Sequence, residues 1–554
     1  MKKIILFSLL HFIGSIVFAQ RANIFAIELK AKDTSIYKLS KPEELFTPES
    51  LKRKNRLQIK PDMRDIPVSN IIIDTLQALG HKVAYTSKWL NMVFIESNNR
   101  KSVESLKQYS FVKSVYPFSS AQSASSIKGI DFPDIEMQIE QLNKKVTGVN
   151  TMYDSGFYGN SRAQIHQLLI DSLHASGYTG IGVRVAIFDN GFRNLQNLRR
   201  VLNYFERARF GGSKNFVRPT KSVFAEGDHG VAVLSIMATY KPGLIVGSSP
   251  DAIYYLMCTE DDITESPLEE LFWLMAAEFC DSIGVDMIQS SLGYNEFDEE
   301  AYSHQIKQLD GKTTLISKAA SVAVSKGIVV VNSAGNEGDK DWRFIAAPAD
   351  VEGVITVGGV DMFGNMAMFS SQGPTADKRV KPDVSAMAEG TFSISASGVV
   401  NKGNGTSYAT PLISGMVACL LQAFPNATPD EIRHALRISA DHYFKPDIHF
   451  GYGIPKATLA LGILESEKQM EDSVIHITQL SDQNIHALVY SKQAQTYTWK
   501  VEDAQGRIVA HGSRKMKKAG ADRFILFSTK KVGKGNYVLK VTTVNKVINH
   551  VFSN

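Results

Sequence analysis

From about residue 160 onward the chain alternates apolar runs with helical patterns, and this alternation limits the folds open to it more than any other feature. The runs are GVRVAIF (182–188), AIYYLMC (252–258), VDMIQSSL (285–292), GIVVVNSA (327–334) and GVITVGGV (353–360). A strand wetted on one face reads apolar–polar–apolar, so runs that lack this rhythm belong to strands covered on both faces. The stretches between them, VAVLSIMATY, PLEELFWLMAAEFCDSIG and LISKAASVAVSKG, have helical spacing. Strands and helices taking turns in this way build a parallel sheet with helices on both sides. A later helix announces its start in TPDEIRHALRI, where Thr428 caps, Pro429 occupies the first turn and Glu431 completes a capping box.

A chain of 554 residues is too long for a single core, and about three or four units are expected. Residues 1–19 place Lys2 and Lys3 before a short apolar stretch that ends in small residues, the pattern of an export signal. That stretch is short for a bilayer span, and no later one is long and apolar enough. Residues 20–120 read as a small α+β domain with six elements in the order β-α-β-β-α-β. These are NIFAIELK, SNIIIDTLQALG with Ser69 as its cap, KVAYTSKW, NMVFIES, RKSVESLKQY and FVKSVYPF, and a basic insertion holding LKRKNRLQIK follows the first strand. Residues 121–159 continue the serine-rich SSAQSASSIKG, which has little to bury and reads as an exposed linker. The α/β domain then occupies 160–466. Residues 467–554 alternate with period two, so that Tyr497, Trp499 and Val501 share one face and Tyr537, Leu539 and Val541 another, the signature of an antiparallel β-sandwich.

The net charge of +5 is small, and outside LKRKNRLQIK the basic residues are scattered. Neither nucleic acid nor an anionic membrane is demanded as a partner. Cys258, Cys280 and Cys419 each lie in an apolar segment without zinc-type spacing, which suggests free core thiols.

Ligands of open α/β sheets sit beyond the carboxyl ends of the strands. Three polar residues fall there. Asp189 ends VAIFDNG and could either turn the chain with Asn190 and Gly191 or be held at a low-dielectric interior. His229 in GDHGVAVLSIMATY stands where a helix begins, next to Asp228, which could cap it; of the 13 histidines it alone lies between Asp and Gly. Ser407 in GNGTSYATPLISG follows Gly403 and Gly405, which permit close approaches. Thr406 or Ser407 would start a helix whose free N–H groups point outward. A hydroxyl there is a good cap, and it is also where a nucleophile would meet an oxyanion donor, its own N–H. Pro411 falls in or near the first turn, where it is tolerated.

Asp, then His, then Ser, each at a strand-to-helix junction of one parallel sheet, is the chain order of subtilisin. VAIFDNG, DHGVAVLSIMA, SAGNEG and GTSYATPLISG together resemble the signature segments of the subtilisin-like serine proteases (subtilases, peptidase family S8), over about residues 160–465. The resemblance implies that Ser407 is the nucleophile of a serine endopeptidase, that His229 is its base and that Asp189 orients His229, while Asn336 supplies a side-chain oxyanion donor. It also implies substrate-binding roles for Ser290, Ser291, Leu292 and Gly293, read as an exposed strand along which a peptide would pair, and for Ala334 and Gly335 beside a substrate side chain. Two positions depart from the family pattern. Asn190 replaces a usual Ser or Thr and can still donate to Asp189, and Val231 replaces a usual Thr.

The β-α-β-β-α-β unit resembles the prosegment of this family, an inhibitor of its own protease, and self-cleavage is expected between about 119 and 160. VEDAQGRIVAHG and GKGNYVLKVTTVNKVINHVF resemble the sorting domains of type IX secretion in Bacteroidetes, although the Pro-Asn-Pro opening often found there is missing. Together these imply an exported protein, secreted or on the cell surface, whose partners are protein or peptide substrates, its own prosegment and the type IX machinery. No cofactor is expected, and calcium is open at Glu260, Asp261 and Asp262, since no D-x-D-x-D-G loop is present. A nucleotide-binding reading fails because DNGFRN is no G-x-G-x-x-G and NKGNGTS carries its lysine on the wrong side for a P-loop. An inactive relative that keeps the peptide groove for binding is the alternative.

Overall fold

In a computed structural model, residues 22–33, 36–121, 156–469, 472–479, 484–517 and 519–553 are described. Residues 1–19, expected as the export signal, and 122–155 of the expected linker lie outside the described residues.

The first unit is a four-stranded antiparallel sheet of β1 (Ala22–Leu29), β2 (Lys82–Ser87), β3 (Met92–Ser97) and β4 (Val112–Ala121), in the order β2-β3-β1-β4. Between β1 and β2 lie α1 (Pro48–Arg56), inside the basic insertion, and α2 (Asn70–Ala78); α3 (Arg100–Ser105) joins β3 to β4. The period-two rhythm sets its two faces. Phe25, Ile27, Val93 and Ile95 pack with Leu76, Val103 and Leu106, while Ile24, Ala26, Phe94 and Phe118 share a core with the next domain. Ser69 stands at the N-cap of α2 but its hydroxyl donates to Asp33 Oδ2 at 3.2 Å and caps no helix N–H, a correction to the sequence reading.

The second unit holds seven parallel strands, β5 (Arg184–Asp189), β6 (Arg209–Asn215), β7 (Ile253–Cys258), β8 (Met287–Ser290), β9 (Val329–Ser333), β10 (Ile355–Val360) and β11 (Val384–Met387). Their order is β11-β10-β9-β8-β5-β7-β6. Helices α4 (His229–Ala238), α5 (Pro267–Ile283), α6 (Leu315–Ser325), α7 (Thr406–Ala423) and α8 (Pro429–Ser439) cover the sheet. One core gathers Ile187, Val231, Met237 and the apolar face of α7; the other gathers Phe188, Trp273, Ala319 and the face of α5. The chain leaves β5 toward β7 and β6 and then returns to the other side as β8, so the strand order switches beside β5 and opens a crevice at its carboxyl end. The capping box of α8 is formed, with Glu431 N donating to Thr428 Oγ1 at 3.2 Å and Thr428 N to Glu431 Oε2 at 2.7 Å.

The first unit rests on α5. Tyr85 meets Phe272 edge-on at 5.8 Å, and the carboxylate of Glu278 accepts from Ser87 Oγ at 2.6 Å and Trp89 N at 3.0 Å. Burial of each such Phe or Leu contributes about 1.5–3 kcal/mol.

The last unit is a sandwich of a three-stranded and a four-stranded antiparallel sheet beginning at Ser473. Tyr497, Val501, Tyr537, Leu539 and Val541 fill its core, with Trp499 packed against it. Arg523, 1% exposed, ties it to the sheet domain by donating to the carbonyls of Ile438 (2.9 Å) and Ala440 (2.6 Å), which the end of α8 leaves without partners in its own helix. The three cysteines are buried and free.

Candidate active site

Asp189 is the last residue of β5 and is fully buried. Its Oδ1 accepts the backbone N–H of Asn190 at 2.9 Å, and both its oxygens face His229 Nδ1, at 3.0 and 3.1 Å. That contact fixes the imidazole tautomer, with the proton on Nδ1 and the lone pair on Nε2. His229 is the first residue of α4, and the glycine after it allows this approach. A Cβ on Gly230 would stand 2.3 Å from the carbonyl oxygen of Gly191 and 3.1 Å from Asp189 Cβ. Asp228 precedes the helix but does not cap it; its carboxylate pairs with Arg193. The His229 side chain keeps 32% of its surface open to the cleft. Burial disfavours its charged form, but the charge and hydrogen bond of Asp189 outweigh this and push its pKa up to about 9. Burial, with Asp189 nearby, pushes Glu260 up to about 8.

The two departures from the family pattern have plain outcomes. Asn190 holds Asp189 through its backbone, and its side chain turns instead to Asp262 Oδ1 at 2.7 Å. Val231 is buried in the core beneath α4.

Ser407 is the second residue of α7 and 7% exposed. Gly405, at φ +140°, precedes the helix, and a Cβ there would lie 3.1 Å from Ser407 Oγ and 3.6 Å from Asn336 Nδ2. The hydroxyl and the amide nitrogen therefore border one small space that only glycine leaves open. The Asn336 amide is oriented by Thr406, whose N–H and Oγ1 both donate to Asn336 Oδ1, at 2.8 and 3.0 Å. Nδ2 then faces the cleft. Pro411 lies deeper in the helix than the sequence suggests, at its sixth residue, and deprives the Ser407 carbonyl of its i+4 donor. Ser291 Oγ donates to that carbonyl instead, at 3.0 Å. Among the described residues no hydrogen bond joins Ser407 Oγ to His229; such bonds are commonly long before substrate binds.

The substrate-binding candidates converge on the same rim. Asn332 Nδ2 and Ser333 Oγ donate to the carbonyl of Leu292, at 2.8 and 3.2 Å, and Gly335 N donates to Thr406 Oγ1 at 3.2 Å. Gly293 sits against Ala346, where a Cβ would approach to 2.9 Å, and Ala334 is fully buried. The segment 290–293 is nonetheless not the exposed strand expected from the sequence. Ser290 lies inside the sheet between β5 and β9, its hydroxyl accepting from Trp273 Nε1 at 3.1 Å, and only Gly293 is partly open.

Two cavities flank the site. One of about 520 Å³ lies beside His229 and is bounded by Arg193, Ser393, Asn401 and Tyr408. The other, about 640 Å³, runs between Ser119 and Ser120 of β4 and the segment Asp261–Glu269. Among the described residues no group of three or more His, Cys, Asp or Glu is gathered to hold a metal; Asp261 pairs with Arg218 at 2.6 Å.

A hydroxyl at a helix N-terminus, an amide donor beside it, and an imidazole oriented by a buried carboxylate form the equipment of acyl transfer. Comparison with known proteins agrees. Residues 180–453 match the subtilase family, and residues 25–129 match the peptidase S8 propeptide domain of Bacteroidota. This is a subtilisin-family serine endopeptidase with a propeptide. The protease is 29% identical over 297 residues to subtilisin amylosacchariticus of Bacillus subtilis subsp. amylosacchariticus, a match covering 52% of this chain and 68% of the relative. It is 28% identical over 299 residues to subtilisin of Bacillus pumilus, covering 52% and 94%. The crystal structure of the epidermin leader peptide processing serine protease (EpiP) from Staphylococcus aureus superposes with a TM-score of 0.51 over 80% of this chain and 99% of that one; at 16% identity the likeness is one of fold. The unit built from β1–β4 is thus the propeptide, resting on the protease domain through α5.

Two residues of the protease's site escape a reading of the sequence. Thr406, which aims Asn336, reads there only as a helix start, although its place beside the serine in GTS is an available signal. Tyr408, whose ring stands edge-on to His229 with centroids 6.4 Å apart, carries none, because only the fold brings α4 and α7 together.

Proposed function

We infer that the protease hydrolyses peptide bonds through an acyl-enzyme formed on Ser407. Ser407 Oγ bonds to the carbonyl carbon as its proton passes to His229 Nε2. The carbonyl oxygen, now negative, takes hydrogen bonds from Asn336 Nδ2 and the Ser407 N–H. The C–N bond then breaks, the amine leaves with the proton from His229, and water repeats the sequence to free the acid. The observation that carries this reading is the paired contact of His229 Nδ1 with both Asp189 oxygens, supported by the edge-on approach of the His229 ring to Tyr408, the residue after Ser407. Asn336→Ala tests the oxyanion assignment: kcat falls about 10²–10³-fold with KM nearly unchanged. A fall in kcat/KM confined to KM would place Asn336 in ground-state binding instead.

The propeptide is released by the protease itself. Supporting this, β4 ends in the cavity walled by Asp261–Glu269, and the neighbouring Asp262 is bonded to Asn190 beside Asp189. In the cell, residues 1–19 direct export and residues 467–554 act as a type IX sorting domain, so that the protease reaches the cell surface or the medium. Deletion of 473–554 is expected to retain the protein behind the outer membrane, as cell fractionation would reveal; unchanged secretion would reduce the sandwich to an accessory domain.

A further inference from the structure

The basic stretch in the insertion has no part in the cleft, yet two of its charges, Arg53 and Lys54, are among the most deeply buried in the molecule. Arg53 and Lys54 on α1 are 2% and 1% exposed. Lys54 Nζ meets Asp281 Oδ1 and Oδ2 at 2.8 and 3.0 Å, Arg53 donates to the same carboxylate and to the Val285 carbonyl, and Arg56 reaches Asp286 at 2.7 Å. Ser50 Oγ donates to the Asp281 carbonyl at 2.6 Å, and Thr47 N to that of Ser282 at 3.0 Å. A second arm reverses the charges: Lys326, 1% exposed and just past α6, pairs with Asp65 at 2.7 Å and Asp62 at 3.0 Å. The backbones are pressed together as well. Gly284 ends α5 at φ +83°, and a Cβ on it would lie 2.6 Å from Ser50 N.

Position gives these contacts their meaning. Ser266, Pro267 and Leu268 at the start of α5 border the cleft-side cavity, whereas Asp281–Gly284 lie at its other end. A helix of 17 residues is about 25 Å long. The propeptide is therefore held along α5 from the cleft-side cavity, through Phe272 and Glu278, to the contacts of α1 at the far end, and only the first of these is near the reacting groups.

We propose that residues 36–66 are a clasp that docks on the far ends of α5 and α6, and that it keeps the propeptide bound as a non-covalent inhibitor after the chain is cut. This rests on the reading of the propeptide as an inhibitor. It adds a docking surface on the protease domain, Asp281 and Asp286 beside Lys326, whose partner is the cationic helix and acidic turn of this same chain. Loss of one member strands the other's charge in a dry interface, so single substitutions weaken docking strongly.

The test uses the full chain with Ser407→Ala and a recognition sequence for an added site-specific protease placed between residues 122 and 155. Cutting then does not depend on self-processing, whose failure would show separately as an uncut wild-type chain. After the cut, the two pieces are expected to co-elute on size exclusion, and Asp281→Asn to speed exchange of a labelled propeptide fragment on the order of 10²-fold or more. Arg56→Ala and Asp62→Ala, at partly exposed rim positions, accelerate it less. Pieces that separate at once in the parent, or exchange rates within about twofold of the parent in all three variants, overturn the proposal. Should Asp281→Asn fail to fold, the two rim variants decide by the same rule.

Discussion

Replacing Ser407 with alanine is expected to lower peptide hydrolysis on the order of 10⁶-fold, the scale on which subtilisin responds to loss of its serine. The fold should survive, because Oγ makes no hydrogen bond among the described residues while the carbonyl of the same residue keeps its bond from Ser291. The two effects can therefore be separated: thermal unfolding stays close to the parent while turnover vanishes. The same variant should keep the propeptide covalently attached. N-terminal sequencing then reads a start upstream of residue 119 in the variant and one between about 119 and 160 in the parent. Processing that continues unchanged in Ser407→Ala would assign the cut to another protease.

Asp189→Asn is the second large effect, on the order of 10⁴-fold in kcat. The amide presents a donor and an acceptor where His229 Nδ1 now finds two acceptor oxygens, so the imidazole can settle in the wrong tautomer. The pH dependence makes the test specific. His229 acts as a base only when neutral, and Asp189 raises its pKa to about 9 against the opposing effect of burial. The parent's kcat/KM should therefore climb with pH through an acid limb well above the ordinary histidine range. In Asp189→Asn the raising charge is gone, and the limb should move to lower pH together with the fall in rate. A lower rate with an unmoved limb would mean that Asp189 positions the ring without governing its proton. For stability the sign is opposite to that of activity: a raised histidine pKa contributes stability that is complete below about 6.5 and is lost as pH rises through about 9. The protease is thus expected to be most active where this contact helps its folding least.

Much of this fold and site is legible in the amino-acid sequence, for identifiable reasons. The five apolar runs are five of the seven strands, since a strand buried on both faces leaves no polar gaps in its sequence. The other two strands lack that signal. β6 reads RFGGSKN, a partly exposed edge strand with glycines in it, and β11 is only four residues long. The alternating face of Tyr497 and Val501 correctly marks the core of the last sandwich. At the site, the close approach that the sequence assigns to Gly403 and Gly405 is found at Gly405, where a Cβ would fill the space shared by Ser407 and Asn336; Gly230, where one would collide with the Gly191 carbonyl, carries no such signal of its own. Side-chain direction is less accessible. Neither the turn of Asn190 toward Asp262 nor the role of Ser291 in satisfying a carbonyl orphaned by Pro411 follows from local pattern, because each depends on a partner about 70 residues or more away. The same is true of LKRKNRLQIK, which by composition is a solvated basic stretch. Its Arg53 and Lys54 are buried because Asp281, 227 residues further on from Lys54, lies in the last turn of the helix against which they pack.

The central claim is that His229, held by Asp189, activates Ser407 as a nucleophile. Phosphonylation of the processed protease by a fluorophosphonate probe, followed by peptide mapping, measures that activation without needing to know the substrate. With the propeptide of both parent and His229→Ala cut at an inserted site by an added protease and removed, the label is expected on Ser407, at a rate that falls steeply in His229→Ala while the protein remains folded. Labelling of Ser407 that is as fast without His229 as with it, or a folded, processed protease that takes up no label at Ser407, would contradict the account.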